Sequence, residues 1–80
     1  MRILLVEDDE LLGDAVKAGL KQYGYTVDCL KDGESGKLAL RNESFDLIVL
    51  DLGLPKLSGL GLLTDARANG NTTPVIILTA

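Results

Sequence analysis

Four residues have the types and the placing to do chemistry together. Glu7 and Asp8 follow directly on the apolar run Ile3-Leu4-Leu5-Val6, Asp51 on Leu47-Ile48-Val49-Leu50, and Thr79 on Val75-Ile76-Ile77-Leu78. A short continuous apolar run fits a strand covered on both faces, and the side chain that ends it is delivered to the carboxyl edge of a parallel sheet, where open α/β sheets bind ligands. If the first two of these strands are neighbours, three or four carboxylates converge on one crevice. They repel, so some must be protonated or share a cation. The chain has no His and a single Cys, which leaves oxygen-only ligation. That suits a hard ion, Mg²⁺ before Ca²⁺, with water completing a small ligand set. A carboxylate beside such an ion is also a nucleophile toward phosphorus, giving an aspartyl phosphate. From the neighbouring strand end, the Thr79 hydroxyl could donate a hydrogen bond to a phosphoryl oxygen.

The elements that must position these groups alternate along the chain. Arg2 to Val6 reads as a first strand, and the acids Glu7 to Glu10 suit a helix N-terminus. The helix that follows carries Leu12, Ala15, Val16, Gly19, Leu20 and Tyr23 as an apolar stripe and stops at Gly24. Tyr25 to Leu30 alternates, with Tyr25, Val27 and Cys29 on one face, which suits an edge strand and makes Cys29 a small core residue. Asp32 caps a short helix to Asn42 that turns Gly36, Ala39 and Leu40 inward. The strand ending at Asp51 leads into the loop Gly53-Leu54-Pro55, a third helix from about Ser58 to Asn69, the turn Asn69-Gly70-Asn71, and the fourth strand after Pro74. The predicted order is βαβαβαβ, an α/β fold. Right-handed crossovers favour a doubly wound parallel sheet in the order 2-1-3-4, with the first and third strands central and the change of winding between them.

Composition narrows the function classes. Eighty residues make one domain, 46% apolar and 25% charged, with net charge −4 and scattered Lys and Arg. That is globular and unsuited to gripping nucleic acid by its phosphates. The cysteine and histidine counts exclude a disulfide framework, the usual zinc sites and a histidine general base. No apolar run is long enough to span a bilayer and no basic-then-apolar leader is present, so the expectation is a soluble cytoplasmic chain without a membrane partner.

The motifs resemble those of a known family. Leu5-Val6-Glu7-Asp8 with a further Asp9, then Leu50-Asp51-Leu52-Gly53-Leu54-Pro55 followed by Gly59, then Leu78-Thr79-Ala80 are similar to the acidic pair, the phosphoacceptor loop and the hydroxyl switch strand of receiver domains of bacterial two-component response regulators. The likeness is nearest to receivers of winged-helix transcription factors. It implies the flavodoxin-like fold, Asp51 as phosphoacceptor, Asp8 as a direct and Glu7 as a water-mediated Mg²⁺ ligand, Gly53 offering its backbone carbonyl to the metal, and Thr79 as the switch residue. It implies a sensor histidine kinase as partner, self-catalysed phosphoryl transfer rather than an enzyme's turnover, and DNA contact only through a C-terminal domain beyond these residues.

The family pattern continues through another helix, a fifth strand ending in Lys and a last helix. Residues 1–80 are therefore expected to be the N-terminal part of a receiver, truncated before that Lys, for which this chain has no counterpart. Lys56 follows Pro55 in a loop and is not promoted to the role. Ser58 replaces the usual acid before Gly59, and Asp9 reads as a helix cap rather than a ligand. Two other function classes are open to the same residues. A Mg²⁺-dependent aspartyl-phosphate phosphatase would need a second Asp two residues after the nucleophile, and Gly53 stands there. A phosphorylation-incompetent interaction fragment is the alternative that absence of the Lys leaves open. An uncovered fourth strand with the uncharged sequence Val75-Ile76-Ile77-Leu78 further predicts a homodimer, with edge pairing as its first geometry.

Overall fold

The computed structural model describes residues 1–78 and contains β1 (Arg2–Val6), α1 (Glu10–Gln22), β2 (Thr26–Leu30), α2 (Gly33–Asn42), β3 (Leu47–Asp51), α3 (Gly59–Ala68) and β4 (Val75–Leu78). The strands are all parallel, in the order β2-β1-β3-β4. The predicted doubly wound sheet is therefore present, with β1 and β3 in its centre.

The apolar runs form these central strands because each of their faces is buried. Leu4 and Val6 join Phe45, Ile48, Leu50, Leu54 and Leu62 beneath α2 and α3. On the opposite face Ile3 and Leu5 join Val27 and Val49, with Val16 and Leu20 of α1 packed over them. Complete burial of one Leu or Ile side chain contributes roughly 1.5–3 kcal/mol, so these two strands carry most of the core. Each helix starts where a polar side chain caps it: Asp9 accepts from the Leu12 N–H, Asp32 from Ser35 and Ser58 from Gly61. Asp9 and Ser58 thus have the capping roles their types suggest, each of a kind that stabilises by about 1 kcal/mol.

Two expectations are corrected in detail. The stripe predicted for α1 is only partly a core face. Val16 and Leu20 pack on the sheet, but Leu12, Ala15 and Tyr23 are exposed. The helix meets the sheet through Gly13, its one buried residue, and this contact rotates Leu12 and Tyr23 out of the interface. The second strand also begins at Thr26 rather than Tyr25; Tyr25 packs half-buried against the core just outside the ladder. Cys29 is half-buried in the same cluster, as expected of a small core residue.

Glycines decide how closely the loop after β3 is drawn in. A Cβ on Gly59 would lie 2.3 Å from the Asp51 carbonyl oxygen, and one on Gly33 would lie 1.8 Å from that of Leu57. The first helical residues of α3 and α2 are thereby pressed against the backbone on either side of the loop. Gly59→Ala is expected to destabilise the fold by about 1–3 kcal/mol through this overpacking. Gly19→Ala, with nothing within 4 Å of the new Cβ, should instead stabilise by roughly 0.5–1 kcal/mol by removing a helix-interior glycine. Urea unfolding of the two variants checks the contrast, and equal effects would remove the close-approach explanation.

Candidate functional site

Register brings the acids together. Val6 is opposite Leu50 in the parallel β1–β3 pair, so the next residues, Glu7 and Asp51, come side by side at the carboxyl edge of the sheet. Glu7 remains attached to the strand edge, its N–H donating to the Leu30 carbonyl at 3.0 Å, and it is only 3% exposed. Asp8 is exposed and Asp51 half-buried. One carboxylate oxygen from each of Glu7, Asp8 and Asp51 lies within 4.8 Å of the others, a spacing at which one cation could touch all three. Asp9 stands outside this group: its side chain caps α1, and its N–H donates to Glu7 Oε2 at 3.2 Å.

The loop after β3 orients the central carboxylate. The Gly53 N–H donates to Asp51 Oδ1 at 3.2 Å, while Leu54 is tucked into the core and the Gly59 N–H donates to the Leu52 carbonyl at 2.9 Å. Lys56 adopts a left-handed φ of 68° and is exposed. Its charge, after the hydrogen bonds from Ser35, helps hold the Asp32 carboxyl below its ordinary value. Lys56 thus lies close enough to Asp32, the cap of α2, for its charge to act there. Thr79 lies outside the described residues.

The crevice is electrostatically crowded. Burial pushes the Glu7 carboxyl above its ordinary value; the Asp9 N–H pulls it back, and the neighbouring Asp51 and Asp8 carboxyls push it further up. Three hard oxygen donors whose mutual repulsion a cation would relieve fit Mg²⁺. One cation nearby had not been anticipated. Lys31, just past β2, has its Nζ shut off from solvent and without a hydrogen-bond partner among the described residues. It faces Gly13 together with Cys29 and Glu7. Strand alternation already sets Lys31 on the face of Cys29, which is the sequence signal that could have found it.

A sequence profile of the response regulator receiver domain matches residues 3–80. The chain belongs to this family. Response regulator protein PmrA of Pseudomonas aeruginosa is 54% identical over all 80 residues, which cover 36% of its length. Transcriptional regulatory protein QseB of Haemophilus influenzae is 50% identical over the same span and the same share. The chain thus spans about a third of the length of these curated relatives. Among solved structures, a Francisella response regulator receiver domain superposes with a TM-score of 0.95 at 30% identity, over 99% of this chain and 65% of that one. The receiver domain of a Pseudomonas aeruginosa sensor histidine kinase, solved with magnesium coordinated in its active-site cleft, gives 0.94 at 36% identity, over 99% and 66%. Receiver domains are signalling domains, and the flavodoxin-like order read from the strands is theirs.

Repulsion within the crevice has a measurable consequence. A carboxyl whose folded pKa is raised favours folding most below its unfolded value, about 4.3 for Glu, and loses that contribution as pH rises through the folded value. The contribution of Glu7 to the stability of the metal-free domain should therefore be lost as pH climbs above about 4.3, and Glu7→Gln should abolish that part of the dependence. At neutral pH without metal, Asp51→Asn is expected to stabilise by roughly 1–3 kcal/mol, the scale of like charges at this separation in a partly screened site. Urea midpoints across pH in a chelating buffer check both; a less stable Asp51→Asn variant would count against the crowding.

Proposed function

We propose that this receiver accepts a phosphoryl group from a sensor histidine kinase on Asp51, with Mg²⁺ held by Glu7, Asp8, Asp51 and the Gly53 backbone carbonyl. The convergence of three carboxylate oxygens within 4.8 Å at the carboxyl edge of the sheet is the observation that supports it. In this reading Asp8 is a direct ligand, Glu7 acts through water, and the Thr79 hydroxyl follows the phosphoryl group. Mg²⁺, when bound, supplies charge neutralisation for the incoming phosphoryl oxygens. The chain's own residues do the rest. A carboxylate oxygen of Asp51 forms the new O–P bond as the P–N bond of a phosphohistidine breaks, and the departing imidazole takes up a proton. The Gly53 N–H holds the Asp51 carboxylate in a defined orientation, so that positioning contributes much of the rate. Half-burial of Asp51 between the loop and β1 limits competing water.

The same reading makes the domain a phosphoacceptor with no turnover on a separate substrate, places it in the cytoplasm, and assigns DNA contact to a winged-helix output domain outside these residues. It also includes self-association. β4 is an edge of the described sheet, with Ile76 and Ile77 exposed along it. An uncharged apolar edge invites pairing with another copy.

In the full-length protein, phosphoramidate with Mg²⁺ is expected to label Asp51 alone, and Asp51→Ala should end labelling. Asp8→Ala should abolish metal binding and reduce labelling at least tenfold. A phosphate-affinity gel and a Mg²⁺ titration read the two effects, and undiminished labelling of Asp51→Ala would overturn the assignment. The 80-residue polypeptide is expected to dimerise at micromolar concentration. Light scattering over a dilution series checks this, with Ile76→Lys shifting it to monomer.

A further inference from the structure

We propose that Lys31 is a built-in counter-cation of the acid crevice and sets how tightly the site holds its divalent metal; this rests on the metal site assigned above. The point where a Cβ on Gly13 would stand is 3.2 Å from Lys31 Nζ, 3.4 Å from Cys29 Sγ and 3.8 Å from Glu7 Cγ. α1 therefore lacks a side chain where the ammonium lies, and the ammonium shares this hollow with the stem of the buried acid of the crevice. Its Nζ is out of solvent and makes no hydrogen bond among the described residues. An ammonium removed from water without a partner is costly unless the local field favours it. A Met at this position would pack against Gly13 and Cys29 without that cost. We attribute the offsetting negative field to Glu7, whose Cγ borders the same hollow, and to the Asp8 and Asp51 carboxylates grouped with it.

Several other cations are engaged elsewhere. Arg2 pairs with Asp28 and Glu43, Arg41 with Asp65, and Lys37 with Glu34, while Lys56 lies by the α2 cap. Among the described residues, Lys31 has its ammonium in the hollow that Glu7 also borders. A fixed positive charge there stabilises the metal-free carboxylates and opposes an entering divalent ion. It weakens metal binding without touching the metal, as a positioning residue acting through the field.

The test is a Mn²⁺ titration of the full-length protein, free ion being followed by electron paramagnetic resonance. Lys31→Met is expected to bind Mn²⁺ about three- to thirtyfold more tightly, the scale of one unit charge acting on a divalent ion across a partly screened gap. Lys31→Arg, which keeps the charge, should restore the wild-type affinity, and Lys21→Met at the exposed end of α1 should leave it unchanged. Lys31→Gln repeats the charge removal should Met disturb packing. A purely structural lysine would instead lower the unfolding midpoint in both Lys31→Met and Lys31→Gln and leave affinity alone, which overturns the proposal. Wild-type affinity in Lys31→Met, with Asp8→Ala still abolishing binding, overturns the role of Lys31 while the metal site stands. Equal Mn²⁺ binding by wild type and Asp8→Ala overturns the metal site itself, and the role of Lys31 with it.

Discussion

The parallel pairing of β1 with β3 is the constraint on which the rest depends. Both strands are buried on two faces, so neither can slip by one residue without exchanging its entire set of side chains between the two layers of core. That fixed register, Val6 opposite Leu50, brings the next residues of both strands together at the carboxyl edge of the sheet. Two of the residues so delivered are carboxylates, and Asp8 adds a third. The core thus stabilises a charge arrangement that would disperse in a free chain. A receiver needs such an arrangement, because a site that attracts a divalent cation must hold its anions together before the cation arrives.

The loop between β3 and α3 shows how the fold secures this arrangement without rigid secondary structure. Leu54 anchors it from below, Gly33 and Gly59 let two helix starts approach its backbone, and Lys56 absorbs the sharp turn with a positive φ. Asp51 stands at the start of this segment, with the Gly53 N–H on its carboxylate. The backbone is held on both sides, while the carboxylate stays half open to a reaction partner.

Charge is distributed unevenly over the molecule. Arg2 joins the start of β1 to the middle of β2 and the end of α2 through Asp28 and Glu43 and lies 4.5 Å over the Phe45 ring, while Arg41 links α2 to α3 through Asp65. These partly exposed pairs each stabilise by about 0–1 kcal/mol, yet they fix where positive charge is used. The carboxyl edge is left with a surplus of acid, beside Lys31 alone in its hollow. Glu7, Asp8 and Asp51 are thereby gathered at this edge of a chain whose net charge is −4.

The sequence by itself determined the elements, their order, the strand topology and the identity of the three acids, because long apolar runs, capping residues and glycine–proline breaks are local signals that tertiary packing here reinforces. Asp9, Asp32 and Ser58 could be read as caps for the same reason. Tertiary structure decided what depends on how surfaces meet. The stripe of α1 was legible as apolar, but contact through Gly13 chose Val16 and Leu20 for the core and left Leu12, Ala15 and Tyr23 outside. Tyr25 belonged to the alternating pattern, yet the ladder begins only at Thr26. Strand alternation sets Lys31 on the face of Cys29, but only the packing of α1 shows that a glycine on another element opens a hollow for its ammonium. Periodicity records which side of its own element a residue occupies; whether that side meets core, solvent or charge is set by the element packed against it.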